Sequence, residues 1–120
     1  MKPFKLQALS LCLIALPLSV LAQDVNAERE KWALHARGGE NQLAESIDAL
    51  NKLYAQSKDA KVRADLIALL VRQGNGNEAL RVCANCKIDH YSLDELQSLA
   101  NAASDNKQFG QAQEFYSALQ

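Results

Sequence analysis

Short amphipathic segments separated by Gly- and Asn-rich breaks restrict this chain to a helical fold. Leu43, Ile47, Leu50 and Tyr54 recur at spacings of three and four residues, which places their side chains on one stripe of a helix. Residues 23–120 lack the alternation of β-branched or aromatic with polar residues that is typical of strands, and Leu and Ala dominate instead. The pattern therefore predicts an all-α domain.

Six helices are expected between these breaks. They cover about 26–37, 41–56, 60–73, 77–83, 93–104 and 109–119. Asp59 is predicted to cap the third helix, because its short side chain can accept from unpaired backbone N–H groups. Ser92 followed by Glu95 matches a capping box at the start of the fifth. Residues 84–91 are expected to form a connector.

The first 22 residues have the pattern of a secretory signal peptide. Lys2 and Lys5 precede an uncharged apolar stretch, Leu6–Ala22, that ends in small or moderate residues. We predict cleavage after Ala22, which leaves 23–120 as the mature domain in the periplasm. An uncleaved N-terminal anchor is the alternative, although the stretch is short for a membrane span. No further segment of the sequence is apolar enough to span a membrane.

The charge balance excludes some functions. The chain has 13 Lys and Arg against 14 Asp and Glu, and removal of Lys2 and Lys5 lowers the basic count to 11, for a net charge of −3. A nucleic-acid partner is not expected, because such proteins usually carry a basic excess. The acidic residues are scattered, and none are paired at a spacing suited to general acid–base catalysis. We therefore expect a protein that is not an enzyme and has no cofactor or metal.

A repeated turn is the most specific pattern in the chain. Three helix-breaking positions are each followed five residues later by Ala: Gly39 and Ala44, Gly74 and Ala79, and Lys107 and Ala112. The alanines are 35 and 33 residues apart. Two antiparallel helices joined by a tight turn approach closely just beyond it, so a small side chain is needed there. The spacing predicts three helix pairs built on one repeating unit.

These turns resemble tetratricopeptide (TPR) repeats, in which a Gly lies in the turn, an Ala opens the second helix and an aromatic follows. Residues 73–80 and 106–116 match this pattern, with Lys107 in place of the Gly. The first copy of the pattern fits better when it is aligned one residue earlier, so that Gly38 takes the place of Gly39 and Leu43 that of Ala44. The family's first-helix Trp–Leu–Gly–Tyr pattern and its closing Pro are mostly missing. The resemblance implies about three pairs stacked as a short superhelix, and an ordinary six-helix bundle is the alternative.

A more general similarity points to one envelope system. The signal peptide, the segment 29–32, the Gly-Gly turn and residues 62–70 together resemble the N-terminal periplasmic TPR region of poly-β-1,6-N-acetylglucosamine export porins. The resemblance implies a part in exopolysaccharide export and biofilm formation, with contacts to the polymer or its deacetylase and association with the outer membrane. The family geometry would place the first helix of each pair along a binding groove, with the candidate residues Arg29, Trp32, Arg63 and Leu66.

Cys83 and Cys86 form the one chemically reactive motif. Two cysteines in an exported domain favour a disulfide, which would close a very short loop and stabilise the chain only locally. A redox-active pair is the second interpretation, although thioredoxin-type motifs place this spacing after a strand. Haem attachment would need His where Lys87 stands. Metal binding would need His90 as the third ligand and the distant His35 as the fourth.

The sequence thus predicts a non-catalytic periplasmic scaffold that binds a protein partner of the cell envelope or a polysaccharide. A partly deacetylated glucosamine polymer is cationic, which suits the net charge of −3. The alternative is a small redox or metal-linked factor built on Cys83 and Cys86. Solenoid repeats usually end in a polar cap, and the last pair lacks one. We expect that pair to be covered by a partner, by a continuation of the chain or by self-association.

Overall fold

The computed structural model describes the backbone of residues 18–120 and the side chains of residues 24–120. Most of the predicted signal peptide lies outside the described residues, so its cleavage remains a prediction. The described helices are α1 (Leu18–His35), α2 (Glu40–Ser57), α3 (Ala60–Arg72), α4 (Gly76–Arg81), α5 (Leu93–Asp105) and α6 (Phe109–Ala118), with short 3-10 turns at Ala36–Gly38 and Ile88–His90. None of these helices combines the length and apolarity that a membrane crossing needs.

The prediction of an all-α fold is confirmed for the described part of the chain. The observed boundaries lie close to the predicted ones, except that α1 begins at Leu18 instead of near Asn26. Both predicted caps are present. Asp59 accepts from the backbone N–H groups of Lys61 and Val62, at 2.8 and 3.1 Å. The fifth predicted helix, α5, begins with the complete capping box at Ser92.

The helices pack as three sequential pairs, which we call pair one (α1–α2), pair two (α3–α4) and pair three (α5–α6). The central helix α3 also packs against α2, and α5 packs against both helices of pair two. One core runs through all three pairs. Its fully buried side chains include Leu50, Val62, Leu66, Ile67 and Leu99. Burial of each such side chain contributes about 1.5–3 kcal/mol, which makes this core the main source of stability.

Pairs two and three reverse the chain with the same backbone motif. In each turn the backbone N–H of the third residue after the helix end donates back to a carbonyl in the last turn of the helix, which closes a Schellman motif. These bonds are both 2.8 Å long, from Asn75 to the Leu70 carbonyl and from Gln108 to the Ala103 carbonyl. The preceding residues are left-handed, with φ of 86° at Gly74 and 61° at Lys107. Lys107 therefore adopts the conformation that the missing turn Gly would supply.

The small residue expected after the turn is buried in these two pairs only. Ala79 and Ala112 are 1% and 4% exposed, whereas Ala44 is exposed and its neighbour Leu43 is buried. Pair one also turns differently, through the 3-10 segment and Gly39 at φ 140°. Its frame is thus shifted by one residue. The structure shows three sequential pairs, of which the second and third share one turn geometry.

Candidate functional site

A cleft opens where α1 and α3 meet the N-terminal end of α5. We call it the α1–α3–α5 cleft, and its volume is about 400 Å³. One side of it is formed by the connector between α4 and α5, residues 82–92. The cleft is lined by Arg29, Ala60, Lys61, Arg63, Ala64, Asp65, His90, Tyr91, Ser92 and Glu95. Most of its polar lining is charged.

A buried ion pair forms the floor of this cleft. Arg63 Nε donates to Glu95 Oε2 at 2.7 Å, and Arg63 Nη2 donates to Glu95 Oε1 at 3.1 Å. The two residues are 7% and 3% exposed. The hydrogen bonds to Glu95 raise the pKa of Arg63 above its ordinary value, although burial opposes this shift. Arg63 therefore stays charged, and a bidentate contact of this kind fixes α3 against α5.

The capping box explains why Glu95 lies where Arg63 can reach it. Glu95 is the third residue of α5, and its Oε1 accepts from the backbone N–H of Ser92 at 3.0 Å. The Ser92 hydroxyl accepts from the N–H of Glu95 in return, at 3.2 Å. This reciprocal bonding holds the carboxylate at the helix end. One side chain thus caps α5 and links pair three to pair two.

A second ion pair joins α1 to α3 at the rim of the cleft. Arg29 Nε lies 2.7 Å from Asp65 Oδ2, and both side chains are about one quarter exposed, at 24% and 25%. This Nε has no aligned hydrogen-bond partner, so the contact is mainly electrostatic. Burial raises the pKa of Asp65, and the positive charge of Arg29 opposes that shift without cancelling it.

The structure joins Cys83 and Cys86 in a disulfide, with Cα atoms 5.4 Å apart. The connector that carries it is held against Arg63. Arg63 Nη1 donates to Cys86 Sγ at 3.7 Å, and Nη2 donates to the His90 carbonyl at 3.2 Å. The Tyr91 hydroxyl donates to the Cys83 carbonyl at 3.2 Å. The disulfide and the buried ion pair are therefore in direct contact.

Tyr91 completes the wall that the connector gives to the cleft. Its ring lies 5.1 Å from the Arg63 guanidinium carbon, at a cation–π distance, and stacks edge-on with Phe115 of α6. Burial raises the pKa of Tyr91 above its ordinary value, while the charge of Arg63 opposes the shift. The phenol is therefore neutral near pH 7 and acts as a hydrogen-bond donor.

The metal interpretation has no structural support in the part of the chain that is described. Both sulfurs are bonded to each other. His35 lies on α1, with Nε2 3.6 Å from Glu45 on α2. Among the described residues no group of three His, Cys, Asp or Glu side chains lies close enough together to hold a metal ion.

The four predicted groove residues lie in different surroundings. Arg29 and Arg63 line the cleft. Trp32 does not, and its indole N–H donates to Glu28 on the same helix at 3.1 Å. Leu66 is fully buried in the core, so its side chain is not available to a ligand. The sequence reasoning did not assign Asp65 or Glu95 to a binding site, although both line the cleft. In the sequence, Glu95 was assigned only to the capping box of the fifth predicted helix.

A second surface feature lies on pair three. A depression of about 730 Å³ runs along α6, lined by Ile88, Gly110, Gln113, Glu114, Ser117 and Ala118. Phe109 and Tyr116 of the same helix are 65% and 40% exposed. The two aromatic residues give α6 an exposed apolar surface, but its depression contains no ion pair or aligned polar cluster comparable to the cleft.

Comparison of the chain with protein-family models, with curated proteins and with solved structures finds no match. What the fold and the site define is an all-helical domain of six helices in sequential pairs, with a charged cleft beside a disulfide-bonded connector.

Proposed function

We propose that this protein is a non-catalytic scaffold of the cell envelope that binds a partner in the α1–α3–α5 cleft. The observation that carries the proposal is the fixed floor of that cleft, in which Arg63 and Glu95 are held by the bidentate contact and by the capping box. Both carboxylates of the lining are already engaged by Arg residues. Groups held in this way are suited to recognition, whereas proton transfer needs an accessible acid or base.

We propose further that the three pairs are degenerate TPR repeats. The shared turns of pairs two and three support this, since they match in backbone geometry and are each followed by a buried Ala. In a TPR arrangement the first helix of each pair faces the ligand groove. The cleft lies against α1, α3 and α5, which are those first helices. The predicted signal peptide would place the domain in the periplasm, and the resemblance to the export porins implies association with the outer membrane.

The partner in this proposal is a protein of the envelope or an exopolysaccharide such as poly-N-acetylglucosamine, which would give the domain a part in export and biofilm formation. The net charge of −3 predicted for the mature domain suits a cationic, partly deacetylated polymer, and the exposed part of Tyr91 suits stacking on a sugar ring. A protein partner would use the exposed cations of the rim, Arg29 and Lys61.

Site-specific photocrosslinking in envelope fractions tests the proposal. A photoreactive residue replaces Lys61, an exposed residue of the cleft. Lys52 on α2 serves as the control because its side chain is 74% exposed and is not part of the lining. We expect a discrete crosslinked protein from position 61 and none from position 52. Suppression by partly deacetylated glucosamine oligomers would identify the polymer as the ligand. Absence of a position-61 adduct to either ligand would overturn the proposal.

The redox alternative is tested in the same assay. With Cys83 and Cys86 both replaced by Ser, a scaffold should still give the position-61 adduct, because the ion pair and the capping box remain. Loss of the adduct while the far-ultraviolet circular dichroism is unchanged would instead favour a redox or metal-linked factor.

Self-association through pair three is a further part of the proposal. The exposed aromatic rings of Phe109 and Tyr116 on α6 support it, because their contact with a second copy would bury apolar surface. Sedimentation velocity of the full chain and of the Phe109→Ser variant tests this. We expect a concentration-dependent dimer that the variant weakens, and a monomer at all concentrations would contradict it.

A further inference from the structure

The N–H groups of the Arg63 guanidinium donate to two kinds of acceptor, oxygen atoms and one sulfur atom. Nε and Nη2 donate to the Glu95 carboxylate, and Nη2 also donates to the His90 carbonyl. Nη1 instead donates to Cys86 Sγ at 3.7 Å. A guanidinium has a fixed planar fork, so the bidentate contact with Glu95 determines where Nη1 points. One N–H of a buried cation is thus aimed at one sulfur of the disulfide.

The two sulfurs have different surroundings. Among the described residues no hydrogen bond reaches the sulfur of Cys83, whose backbone carbonyl is instead held by Tyr91. Both cysteine residues are partly exposed, which the approach of a small thiol requires. The remaining charged or titratable groups that contact Arg63 or adjoin the pair are Tyr54 of α2, Glu95 of α5, and Lys87, His90 and Tyr91 of the connector. Within residues 24–120, only Arg63 donates to a sulfur atom.

We infer that the Cys83–Cys86 disulfide is a thiol-exchange site with a fixed polarity, in which Cys86 is the leaving sulfur and Arg63 stabilises its thiolate. The inference goes beyond the proposed scaffold and does not depend on it. A low-molecular-weight thiol is the substrate class. Exchange is faster when the leaving thiolate is the more stable one, and a hydrogen bond to an ionised acceptor is about twice as strong as one to a neutral acceptor.

The exchange proceeds in two balanced steps. The thiolate of the small thiol attacks Cys83 Sγ, a new sulfur–sulfur bond forms, and the electron pair of the broken disulfide moves to Cys86 Sγ beside Arg63. A second thiolate then attacks the small-thiol sulfur of the mixed disulfide and releases Cys83 as a thiolate. Two small thiols are oxidised to their disulfide, the protein gains two electrons, and solvent supplies protons to the cysteines that do not stay ionised.

Alkylation of single-cysteine variants tests this polarity. Cys83→Ser and Cys86→Ser are each made in a full chain that also carries Cys12→Ser, so that one thiol remains, and iodoacetamide rates are followed by mass spectrometry from pH 5 to 10. We expect the rate of Cys86 to reach half its plateau at a lower pH than that of Cys83. At pH 7 Cys86 should react about threefold faster, since a larger thiolate fraction is partly offset by lower nucleophilicity.

The pH at which the alkylation rate reaches half its plateau distinguishes a stabilised thiolate from a more accessible thiol. Poor access of the reagent lowers the plateau rate but leaves this pH midpoint unchanged. Equal midpoints, or a lower midpoint for Cys83, would overturn the inference. Arg63→Lys supplies a second test, since Lys keeps the positive charge opposite Glu95 but has no fork to reach the sulfur. It should raise the midpoint of Cys86, whereas the matched variant Arg81→Lys, at an exposed Arg paired with Glu78, should not. If Arg63→Lys fails to fold, the comparison of the two single-cysteine variants still decides the question.

Discussion

The two ion pairs that hold α3 in place have the same length and a different character. Each has a closest nitrogen–oxygen distance of 2.7 Å. The Arg63–Glu95 contact, between pairs two and three, is buried, bidentate and supported by the capping box. The Arg29–Asp65 contact, between pairs one and two, is about one quarter exposed and has no aligned hydrogen bond. Burial and alignment, and not distance, decide how much each contact matters.

The turns, like the ion pairs, distinguish pairs two and three from pair one. Pairs two and three share the Schellman turn and the buried Ala that follows it, and α5 lies so close to α4 that a Cβ atom on Gly76 would be 3.0 Å from the Ala102 methyl group. Pair one has a 3-10 turn and an exposed Ala44. Pairs two and three therefore form the more closely specified part of the fold. Pair one is joined to pair two by apolar packing, by the Arg29–Asp65 contact and by a hydrogen bond from Arg72 to the Ala36 carbonyl.

The largest effect should come from breaking the buried ion pair. Glu95→Ala leaves Arg63 charged, buried and without its partner, so we expect a loss of about 3–5 kcal/mol in the free energy of unfolding. Asp65→Ala should cost less than about 1 kcal/mol, because Arg29 can turn towards water. Urea unfolding of the full chain, followed by circular dichroism, measures both. Equal losses from the two variants would show that the two contacts do not differ as the structure implies.

The buried small residue distinguishes pair two from pair one. Ala79→Leu forces extra atoms between α4 and its neighbours and should cost about 1–3 kcal/mol. Ala44→Leu occupies the corresponding sequence position on an exposed face and should change stability by less than about 0.5 kcal/mol. The same urea assay applies. A large loss for Ala44→Leu would mean that pair one packs in the unshifted frame, against the structure.

The left-handed position of the turn is Gly74 in pair two and Lys107 in pair three, so each residue can be replaced by the one that the other turn carries. Lys107→Gly removes the strain of a side chain at φ 61° and should stabilise the chain by about 0.5 kcal/mol, after allowance for the freer unfolded Gly. Gly74→Lys introduces the same strain and should cost about 1 kcal/mol. Lys107→Ala is the control for charge, and it should give no stabilisation. Thermal unfolding midpoints rank the three variants, and a stabilising Lys107→Ala would attribute the effect to charge instead of backbone conformation.

Local signals account for what could be predicted from the sequence. The helices, the Asp59 cap, the Ser92 capping box and the position of the turns depend on residues within a few positions of one another, and all are observed. The sequence pattern assigned Lys107 to the position of the turn Gly, and the structure shows that it adopts the left-handed conformation of that position. The disulfide between Cys83 and Cys86 was among the interpretations because two cysteines in an exported domain favour one, and only two residues lie between them.

The candidate site was much less predictable, because it depends on contacts across the chain. Arg63 and Glu95 are 32 residues apart, and nothing in their local sequence indicates that they meet. Arg63 was assigned to the groove because the repeat resemblance places the first helix of each pair there, and its burial follows from the docking of α5 on α3. Leu66 was assigned to the groove by analogy with repeat geometry, whereas its helical stripe faces the core.

The smallest expected effect concerns pH, and it tests the weaker contact. Burial raises the pKa of Asp65 in the folded chain, so the folded state binds more protons than the unfolded state between the ordinary and the raised pKa. The contribution of Asp65 to the free energy of unfolding is therefore complete at pH values below its ordinary pKa. It is lost as the pH rises through the raised pKa of the folded chain. The free energy of unfolding of the parent chain, minus that of Asp65→Asn, should fall by less than about 1 kcal/mol across that window. A difference that grows with pH would mean that attraction to Arg29 outweighs burial, and the contact between pairs one and two would then resemble the Arg63–Glu95 pair more closely than its exposure suggests.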